Sequence, residues 1–156
     1  YFRSQLLEKF GGLYIDLDVL CLKPFPFHEI NDNVFLAQEL HPDWRSIGTA
    51  VIYARYPHET IFREWSRQIR QIDKSGKKLK HGDLGPRLLT KVYDDLGRPF
   101  MVYDSDYFYP IEYTEFEKTI DTIDKVKTLD SYGFHVFSSI WKKDELDGEK
   151  FDNLYL

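Results

Sequence analysis

The chain has 156 residues, 42% hydrophobic and 17% aromatic, which is enough apolar surface for one folded domain and too much for a disordered chain. Its formal net charge is −5 and it has no long basic block, which excludes nucleic acid as the main partner but leaves a small phosphate ligand possible. Cys21 is the only cysteine, which excludes an intramolecular disulfide and favours a reducing compartment. No apolar run reaches the roughly 20 residues of a membrane span.

The first part of the chain predicts a helix followed by short strands. Phe2, Leu6 and Phe10 recur every four residues, with Leu7 beside them, which predicts an amphipathic helix ending at Gly11. The chain starts within this pattern and without Met, so we expect upstream residues, including any targeting segment, to lie outside it. The elements predicted next are strands over 13–16, 33–39 and 49–54, with loops over 23–32 and 40–48.

Two further helices are predicted, each with a proline in its first turn. The helix from Pro57 places Ile61, Trp65, Ile69 and Ile72 on one face, and the helix from Pro86 places Leu88, Leu89, Val92 and Leu96 on one face. The remaining predicted segments are a basic loop over 74–83, strands over 98–104 and 134–137, an aromatic loop over 107–113 and a charged tail over 142–150. Mixed helices and strands predict an α/β fold class.

Asp16 and Asp18 form a D-x-D pair directly after a predicted strand. Residues i and i+2 of an extended strand share a face, so both carboxylates are expected to point the same way and Leu17 the other way. Two carboxylates held close repel each other unless a cation lies between them. Mg²⁺ and Mn²⁺ take oxygen ligands and leave positions for substrate phosphates, so the pair suits a metal–diphosphate site. A solvated turn with two surface acids is the alternative.

Four segments, in order along the chain, resemble glycosyltransferase family 32, enzymes with a D-x-D-containing sugar-binding region. The family includes α-1,4-galactosyltransferases and yeast-type initiating mannosyltransferases. Residues 11–25 resemble the D-x-D segment, and Arg3 matches an arginine on the helix that enters it. Residues 81–97 resemble the G-P-x-L-L-T helix start, 107–116 an F-Y-P-I segment, and 133–143 the A-x-H-x-W region. The resemblance therefore covers nearly the whole chain.

This resemblance implies a GT-A-like nucleotide-sugar transferase fold over residues 1–156, lacking its N-terminal nucleotide-binding strands. It implies a metal-dependent retaining hexosyltransferase (EC 2.4) that uses Mn²⁺ or Mg²⁺ and a nucleotide sugar, usually a UDP-sugar. The implied acceptor is a saccharide or glycolipid, with peripheral membrane association and no nucleic acid. The expected location is the bacterial cytoplasm, at the inner membrane surface, or the Golgi lumen for a eukaryotic chain.

The resemblance also assigns site residues. Asp18 is the expected direct metal ligand, Asp16 is expected to contact the metal or the ribose and donor sugar, and His135 is the expected third ligand. Asp16, Asp18 and Asp83 are the expected catalytic residues, Asp83 by accepting a hydrogen bond from a sugar hydroxyl. The residues expected to bind the nucleotide sugar are Arg3, Gly12, Tyr14, Asp16, Gly85 and Pro86.

Several of these residues also have an ordinary structural interpretation. His135 suits a core histidine bonded to a backbone carbonyl, and Asp83, Gly85 and Pro86 suit a helix cap and turn as well as a helix N-terminus that binds a hydroxyl or phosphate. The residues for which solvent exposure or core packing is the main expectation are His28, His41, His58, His81, Trp44, Lys77, Lys78, Lys80, Tyr107, Phe108 and Tyr109. The aromatic residues among them are alternatively sugar-stacking groups, and the lysines phosphate-steering groups.

Two other functions fit parts of the pattern. A non-catalytic carbohydrate-binding module of the same fold would keep the architecture without turnover. A haloacid-dehalogenase-type phosphatase also has D-x-D after an apolar strand, with the first Asp as nucleophile and Mg²⁺ as cofactor. The phosphatase needs a downstream acidic pair, and Asp94 and Asp95 are a poor match because they lie in a predicted helix.

Overall fold

The computed structural model describes residues 2–41, 46–76, 78–80, 82–112, 114 and 130–137. The helices in these residues are α1 (Phe2–Phe10), α2 (Thr60–Lys74) and α3 (Pro86–Asp95), with a 3₁₀ turn over Ser105–Tyr107. The strands are β1 (Gly12–Ile15), β2 (Val19–Cys21), β3 (Val34–Phe35), β4 (Gln38–Glu39), β5 (Ser46–Ile47), β6 (Val51–Ala54) and β7 (Gly133–His135). The mixture of helices and strands confirms the predicted α/β class.

The described strands pair into three small antiparallel sheets. β6 lies between β1 and β3 in the largest sheet, β2 pairs with β7, and β4 pairs with β5. An isolated parallel bridge joins Ala37 to Tyr103. The β2–β7 ladder sets Val19 opposite His135, and the β1–β6 ladder sets Ile15 opposite Val51. These two ladders bring residues from distant parts of the chain to the junction between β1 and β2.

The predicted first helix is confirmed, but its buried face differs from the expected stripe. Leu7 is buried, whereas Phe2 and Phe10 are 69% and 64% exposed. Gly11 ends the helix with a φ of +64° and donates its N–H to the carbonyl oxygen of Leu7 at 3.0 Å. A Cβ at this position would lie 2.9 Å from the carbonyl carbon of Tyr56, so glycine is required both for its φ and for this close approach.

The second and third helices are also confirmed. α2 begins at Thr60 and not at Pro57, because His58 between them has a φ of +63°, which no right-handed helix allows. α3 begins at Pro86, as predicted. The buried residues of the two helices are Ile61, Phe62, Trp65, Ser66, Ile69, Leu88, Leu89, Thr90, Val92 and Tyr93.

Several strand predictions were wrong. The segment predicted as one strand over 33–39 is divided into β3 and β4, and the predicted loop over 40–48 contains β5. Segment 98–104 forms no strand and contributes the single bridge at Tyr103, and its first residue, Arg98, has a φ of +58°, outside the extended region. β2 was not predicted, because a strand of three residues depends on its distant partner more than on its own residues.

The largest sheet separates two apolar clusters. Phe35 and Val51 belong to an aromatic-rich cluster with β2, β7 and the segment around Tyr109, whereas Val34 and Ile52 belong to a cluster with the three helices. This alternation follows the two-residue period of a strand. Full burial of each such side chain contributes roughly 1.5–3 kcal/mol, so both faces of the sheet stabilise the position of its edge strand β1.

Candidate functional site

A tight turn with Leu17 and Asp18 at its centre connects β1 and β2, and Asp16 begins it, so the interpretation of Asp16 and Asp18 as neighbours on an extended strand is wrong. The backbone N–H of Asp16 donates to the carbonyl oxygen of Ala50 at 2.8 Å, at the end of the β1–β6 ladder. The N–H of Val19 donates to the carbonyl oxygen of Asp16 at 3.2 Å, which closes a β-turn. Leu17 is fully exposed at the tip. The chain turns here because β2 leaves the β1 sheet and pairs with β7.

The β2–β7 ladder places His135 beside Asp18. The backbone N–H of Val136 donates to the carbonyl oxygen of Asp18 at 2.8 Å, and the N–H of His135 donates to the carbonyl oxygen of Phe108 at 3.1 Å. The imidazole Nε2 of His135 then lies 3.3 Å from Oδ1 of Asp18, with side-chain exposures of 13% and 22%. The imidazole nitrogen Nδ1 is buried and has no hydrogen-bond partner among the described residues. Nε2 is therefore the nitrogen that faces the carboxylates.

The side chains of Asp16, Asp18 and His135 form one cluster. One ligand atom from each lies within 4.8 Å of the other two, and all three residues are half-buried. No other His, Cys, Asp or Glu group in the described part of the chain meets this spacing. Two carboxylates and an imidazole are a donor set that suits Mn²⁺ or Mg²⁺ and leaves coordination positions open. The residues present therefore fit the predicted metal ion in chemical type and in proximity.

Arg3 and Tyr14 hold the Asp16 carboxylate from behind. The Nη1 of Arg3 donates to Oδ2 of Asp16 at 3.1 Å and to the carbonyl oxygen of Thr49 at 2.7 Å. The Tyr14 hydroxyl donates to Oδ1 of Asp16 at 2.6 Å. Burial and this hydrogen bond raise the pKa of Tyr14 to about 12, so the hydroxyl remains a donor at neutral pH. The structure thus places both residues where they orient Asp16, whereas the sequence analysis expected them to bind the nucleotide sugar.

Glu39, the last residue of β4, is an acidic residue of the site that was not predicted from the sequence. Burial raises the pKa of its carboxyl above the ordinary value, Asp16 adds to the rise, and the charges of His135 and Arg3 oppose it. These mutual effects mean that Glu39 lies within electrostatic range of the cluster. The sequence offered no clear signal, because Gln38 separates Glu39 from the apolar segment 34–37, whereas Asp16 directly follows Ile15.

Tyr109 supports the β6 side of the site from the core. It is fully buried, and its hydroxyl oxygen accepts the N–H groups of Ala50 and Val51, both at 3.1 Å. Its ring fills the space beside Gly48, where a Cβ would lie 2.2 Å from the ring carbon Cζ. Ala50 in turn accepts the N–H of Asp16, so Tyr109 helps to position the acidic turn. Because the ring is enclosed, Tyr109 has no free face for stacking on a sugar.

Asp83, Gly85 and Pro86 lie near this cluster without joining it. Gly85 is the N-cap of α3, and a Cβ there would lie 3.5 Å from the hydroxyl oxygen of Thr49. The Oδ2 of Asp83 accepts the backbone N–H of Lys80 at 2.8 Å, and its Oδ1 lies 3.7 Å from Arg87. Both contacts of Asp83 are with residues of its own loop or of the helix that follows it.

The first turn of α3 offers little to an anion. Pro86 has no N–H group, and the N–H of Arg87 donates to the carbonyl oxygen of Gly82 at 3.3 Å. Two of the donors that make a helix N-terminus an anion site are therefore absent or engaged. These contacts favour the interpretation of residues 82–87 as a cap and turn.

The other predicted residues lie in ordinary surroundings. Gly12 opens β1 with a φ of +88° opposite Ala54, which is a backbone role. Phe108 is buried in the aromatic cluster, and Tyr107 packs on Tyr132, which supports core packing over sugar stacking. The exposed or partly exposed residues are His28, His41, His58, Lys78 and Lys80. Trp44, Lys77, His81 and the segment 142–150 lie outside the described residues.

None of the helices in the described residues is long and apolar enough to cross a membrane. Comparison of the chain with protein-family models, with curated proteins and with solved structures found no match.

Proposed function

We propose that the chain is a metal-dependent retaining glycosyltransferase with a GT-A-like fold, which moves a hexose from a nucleotide sugar to a saccharide or glycolipid acceptor. The observation that carries this proposal is the convergence of Asp16, Asp18 and His135, which come from opposite ends of the sequence and present ligand atoms within 4.8 Å of one another. The resemblance to glycosyltransferase family 32 assigns the metal to these same three residues.

Asp18 and His135, with Asp16, would hold a divalent cation, Mn²⁺ or Mg²⁺. When bound, the cation would supply Lewis-acid stabilisation of the charge that develops on the leaving diphosphate. The carboxylate oxygens of Asp16 and Asp18 alone would repel a diphosphate, so donor binding at this turn is expected to require the cation. A UDP-sugar is the proposed donor.

Arg3 and Tyr14 act in this proposal through Asp16. Each donates to a different oxygen of the Asp16 carboxylate, at 3.1 Å and 2.6 Å, so the plane of the carboxylate is held in one orientation. A fixed carboxylate loses little conformational freedom when it binds a cation or a ribose hydroxyl. The two residues are therefore positioning residues, whereas Asp18 and His135 are the proposed direct ligands of the cation.

One observation favours a non-catalytic module of the same fold as the second candidate. Both oxygens of Asp16 already accept hydrogen bonds from neighbouring side chains, as expected of a structural acid. The same observation disfavours the phosphatase, because its nucleophile needs an oxygen free to attack phosphorus. Asp94 and Asp95 lie on α3 and pair with Arg98 and Lys91, so they offer no second acidic pair for that chemistry.

The proposal is tested by calorimetric titration of UDP into the protein with and without Mn²⁺. We expect binding that requires Mn²⁺ and that is lost in Asp18→Asn, which keeps the shape of the side chain and removes its charge. Asp106→Asn is the matched control, because Asp106 is an exposed aspartate in the 3₁₀ turn. Circular dichroism of each variant checks that the fold is retained.

Turnover is then measured with UDP-sugars. Mn²⁺-dependent release of UDP distinguishes the transferase from the non-catalytic module, which would bind and not release product. Phosphate release from a monoester would indicate the phosphatase. UDP binding that is unchanged by removal of the metal, or by Asp18→Asn, would contradict the proposed site.

A further inference from the structure

The basic residues of this acidic protein are concentrated in one part of the sequence. Residues 60–91 contain nine of the 21 Lys and Arg residues but only three of the 26 Asp and Glu residues. The rest of the chain therefore contains 12 basic and 23 acidic residues. A segregation of this size gives the region a local positive field, although the net charge of the chain is −5.

Four of these residues form a stripe along α2. Arg63, Arg67, Arg70 and Lys74 are spaced four, three and four residues apart, and all four are exposed. With 3.6 residues per turn, this spacing places them within a band about 60° wide and about 16 Å long. The opposite side of α2 is buried against the helical core cluster. The helix is thus fixed with this stripe, here called the basic stripe, facing outward.

The acidic residues of α2 lie beside the basic stripe. Glu64 accepts hydrogen bonds from Arg67 at 2.8 Å and 2.5 Å and from Gln68 at 2.9 Å. Its negative charge is therefore offset by a neighbour on the same helix. Lys91 of α3 lowers the pKa of Glu64 and therefore lies within electrostatic range of it. On α3 itself, Lys91 pairs with Asp95 and Arg87 lies near Asp83, so the positive surface is concentrated on α2.

An exposed apolar residue follows the basic stripe along the chain. After α2, Lys78 and Lys80 are exposed on either side of Leu79, whose side chain is 44% exposed. Cations that surround a protruding apolar side chain are typical of surfaces that lie on lipid headgroups. This feature favours a membrane, because the acyl chains below anionic headgroups can bury an exposed leucine side chain that the flanking lysines bring to the surface.

We propose that the basic stripe, together with Lys78, Leu79 and Lys80, docks the protein on an anionic membrane surface. A planar anionic surface meets this one side of the molecule, whereas a long flexible polyanion would also meet the acidic remainder and be repelled. The inference is independent of the proposed transferase activity, although a glycolipid acceptor would give such docking a purpose.

Co-sedimentation with vesicles tests the docking surface. Vesicles of phosphatidylcholine alone are compared with vesicles that also contain phosphatidylglycerol, in EDTA so that no divalent cation bridges protein and lipid. We expect binding to the anionic vesicles only, and its loss at high salt because the attraction is screened. The variant Arg63→Gln/Arg70→Gln/Lys74→Gln is expected to bind at least tenfold more weakly, with the Arg67–Glu64 pair left intact.

The matched control is Lys9→Gln/Lys23→Gln/Arg98→Gln, which removes the same charge from exposed residues outside the basic stripe. It is expected to bind the anionic vesicles as the wild type does. Equal loss in both triple variants would show a general charge effect and overturn the proposal, as would wild-type protein that stays in the supernatant. Binding to duplex DNA that exceeds vesicle binding, with the same sensitivity to the stripe variant, would reassign the surface to nucleic acid.

Discussion

The two acidic loops that the sequence marked as site candidates differ in what surrounds their carboxylates. At the turn 16–18, the carboxylates come together with an imidazole from β7, and Arg3 crosses from α1 to reach one of them. In the loop before α3, Asp83 accepts a bond from Lys80 and lies near Arg87, both within four residues of it. The first loop joins distant segments, whereas these contacts of Asp83 close a local turn.

This contrast shows how the same residue type acquires different roles. At the turn 16–18, the imidazole from β7 brings a third ligand atom within 4.8 Å of the two carboxylates, so three possible metal ligands lie together. A carboxylate beside a turn is engaged by nearby N–H groups, which is the usual behaviour of Asp in loops. The distinction therefore depends on the β2–β7 ladder, which brings His135 to the first loop.

The largest expected effect is on metal binding by the cluster. Replacing His135 by Gln removes one of three proposed ligands, so we expect Mn²⁺ affinity to fall on the order of 100-fold. Asp83→Asn should leave the affinity within about twofold, since the change lies in the other loop. Electron paramagnetic resonance of free Mn²⁺ measures both affinities directly. Equal losses in the two variants would remove the distinction between the loops.

A smaller effect, on the free energy of unfolding, is expected for the two arginines that contact Asp16 and Asp83. Arg3→Gln breaks charge-assisted bonds to Asp16 and Thr49, so we expect the free energy of unfolding to fall by about 1–2 kcal/mol, allowing for partial exposure. Arg87→Gln removes an exposed pair at 3.7 Å and should change it by no more than about 0.5 kcal/mol. Urea denaturation of both variants measures the two free energies of unfolding. A larger loss in Arg87→Gln than in Arg3→Gln would contradict this expectation.

Glu39 allows the electrostatics of the first loop to be tested by pH. Its pKa is raised in the folded protein, so the wild type loses stability as pH rises from the ordinary value of 4.5 through the raised value. Glu39→Gln has no such titration and should match or exceed the stability of the wild type at neutral pH, by up to about 1 kcal/mol. Urea denaturation across this pH range, in EDTA, gives the difference. A variant that is less stable than the wild type at neutral pH would show that the carboxylate is needed as an acceptor.

The smallest effect on stability is expected for the ion pair between Glu64 and Arg67 on the surface of α2, which, like that between Asp83 and Arg87, joins residues close in sequence. The hydrogen bond from Arg67 lowers the pKa of Glu64 to about 2, so the pair stabilises the fold above pH 4.5 and its contribution is lost as pH falls towards 2. Because Arg67 is half-exposed, we expect Glu64→Gln to cost about 0.3–0.5 kcal/mol at neutral pH and nothing at the acid limit. Thermal denaturation at neutral pH and near pH 2 checks this. A loss above about 1 kcal/mol at neutral pH would mean that this surface pair stabilises the fold as much as the Arg3–Asp16 contact does.

Local chemistry explains which parts of the fold could be predicted from the sequence. α3 begins at Pro86 and α1 ends at Gly11 because those residues act through their own backbones. β2 and β5 were missed because strands of two or three residues are determined by partners far along the chain. The predicted strand over 98–104 had suitable side chains, but the backbone at Arg98 does not adopt an extended conformation.

The same division applies to the site. Asp16, Asp18 and His135 were predicted together, but the expected extended strand is in fact a turn. The side-chain period of a strand could not reveal that β2 turns away to meet β7. Glu39 was missed because its proximity to Asp16 depends on how β4 lies relative to β1, which no local pattern encodes.

The reach of Arg3 from α1 to Asp16 and Thr49 has a consequence for local unfolding. Arg3 lies on α1, so a local opening of this helix would displace its guanidinium group. Each such opening would also release the Asp16 carboxylate from a donor that orients it. Hydrogen-exchange protection of the α1 amides and the readiness of the acidic turn to receive a ligand should therefore rise and fall together, as parts of one cooperative unit.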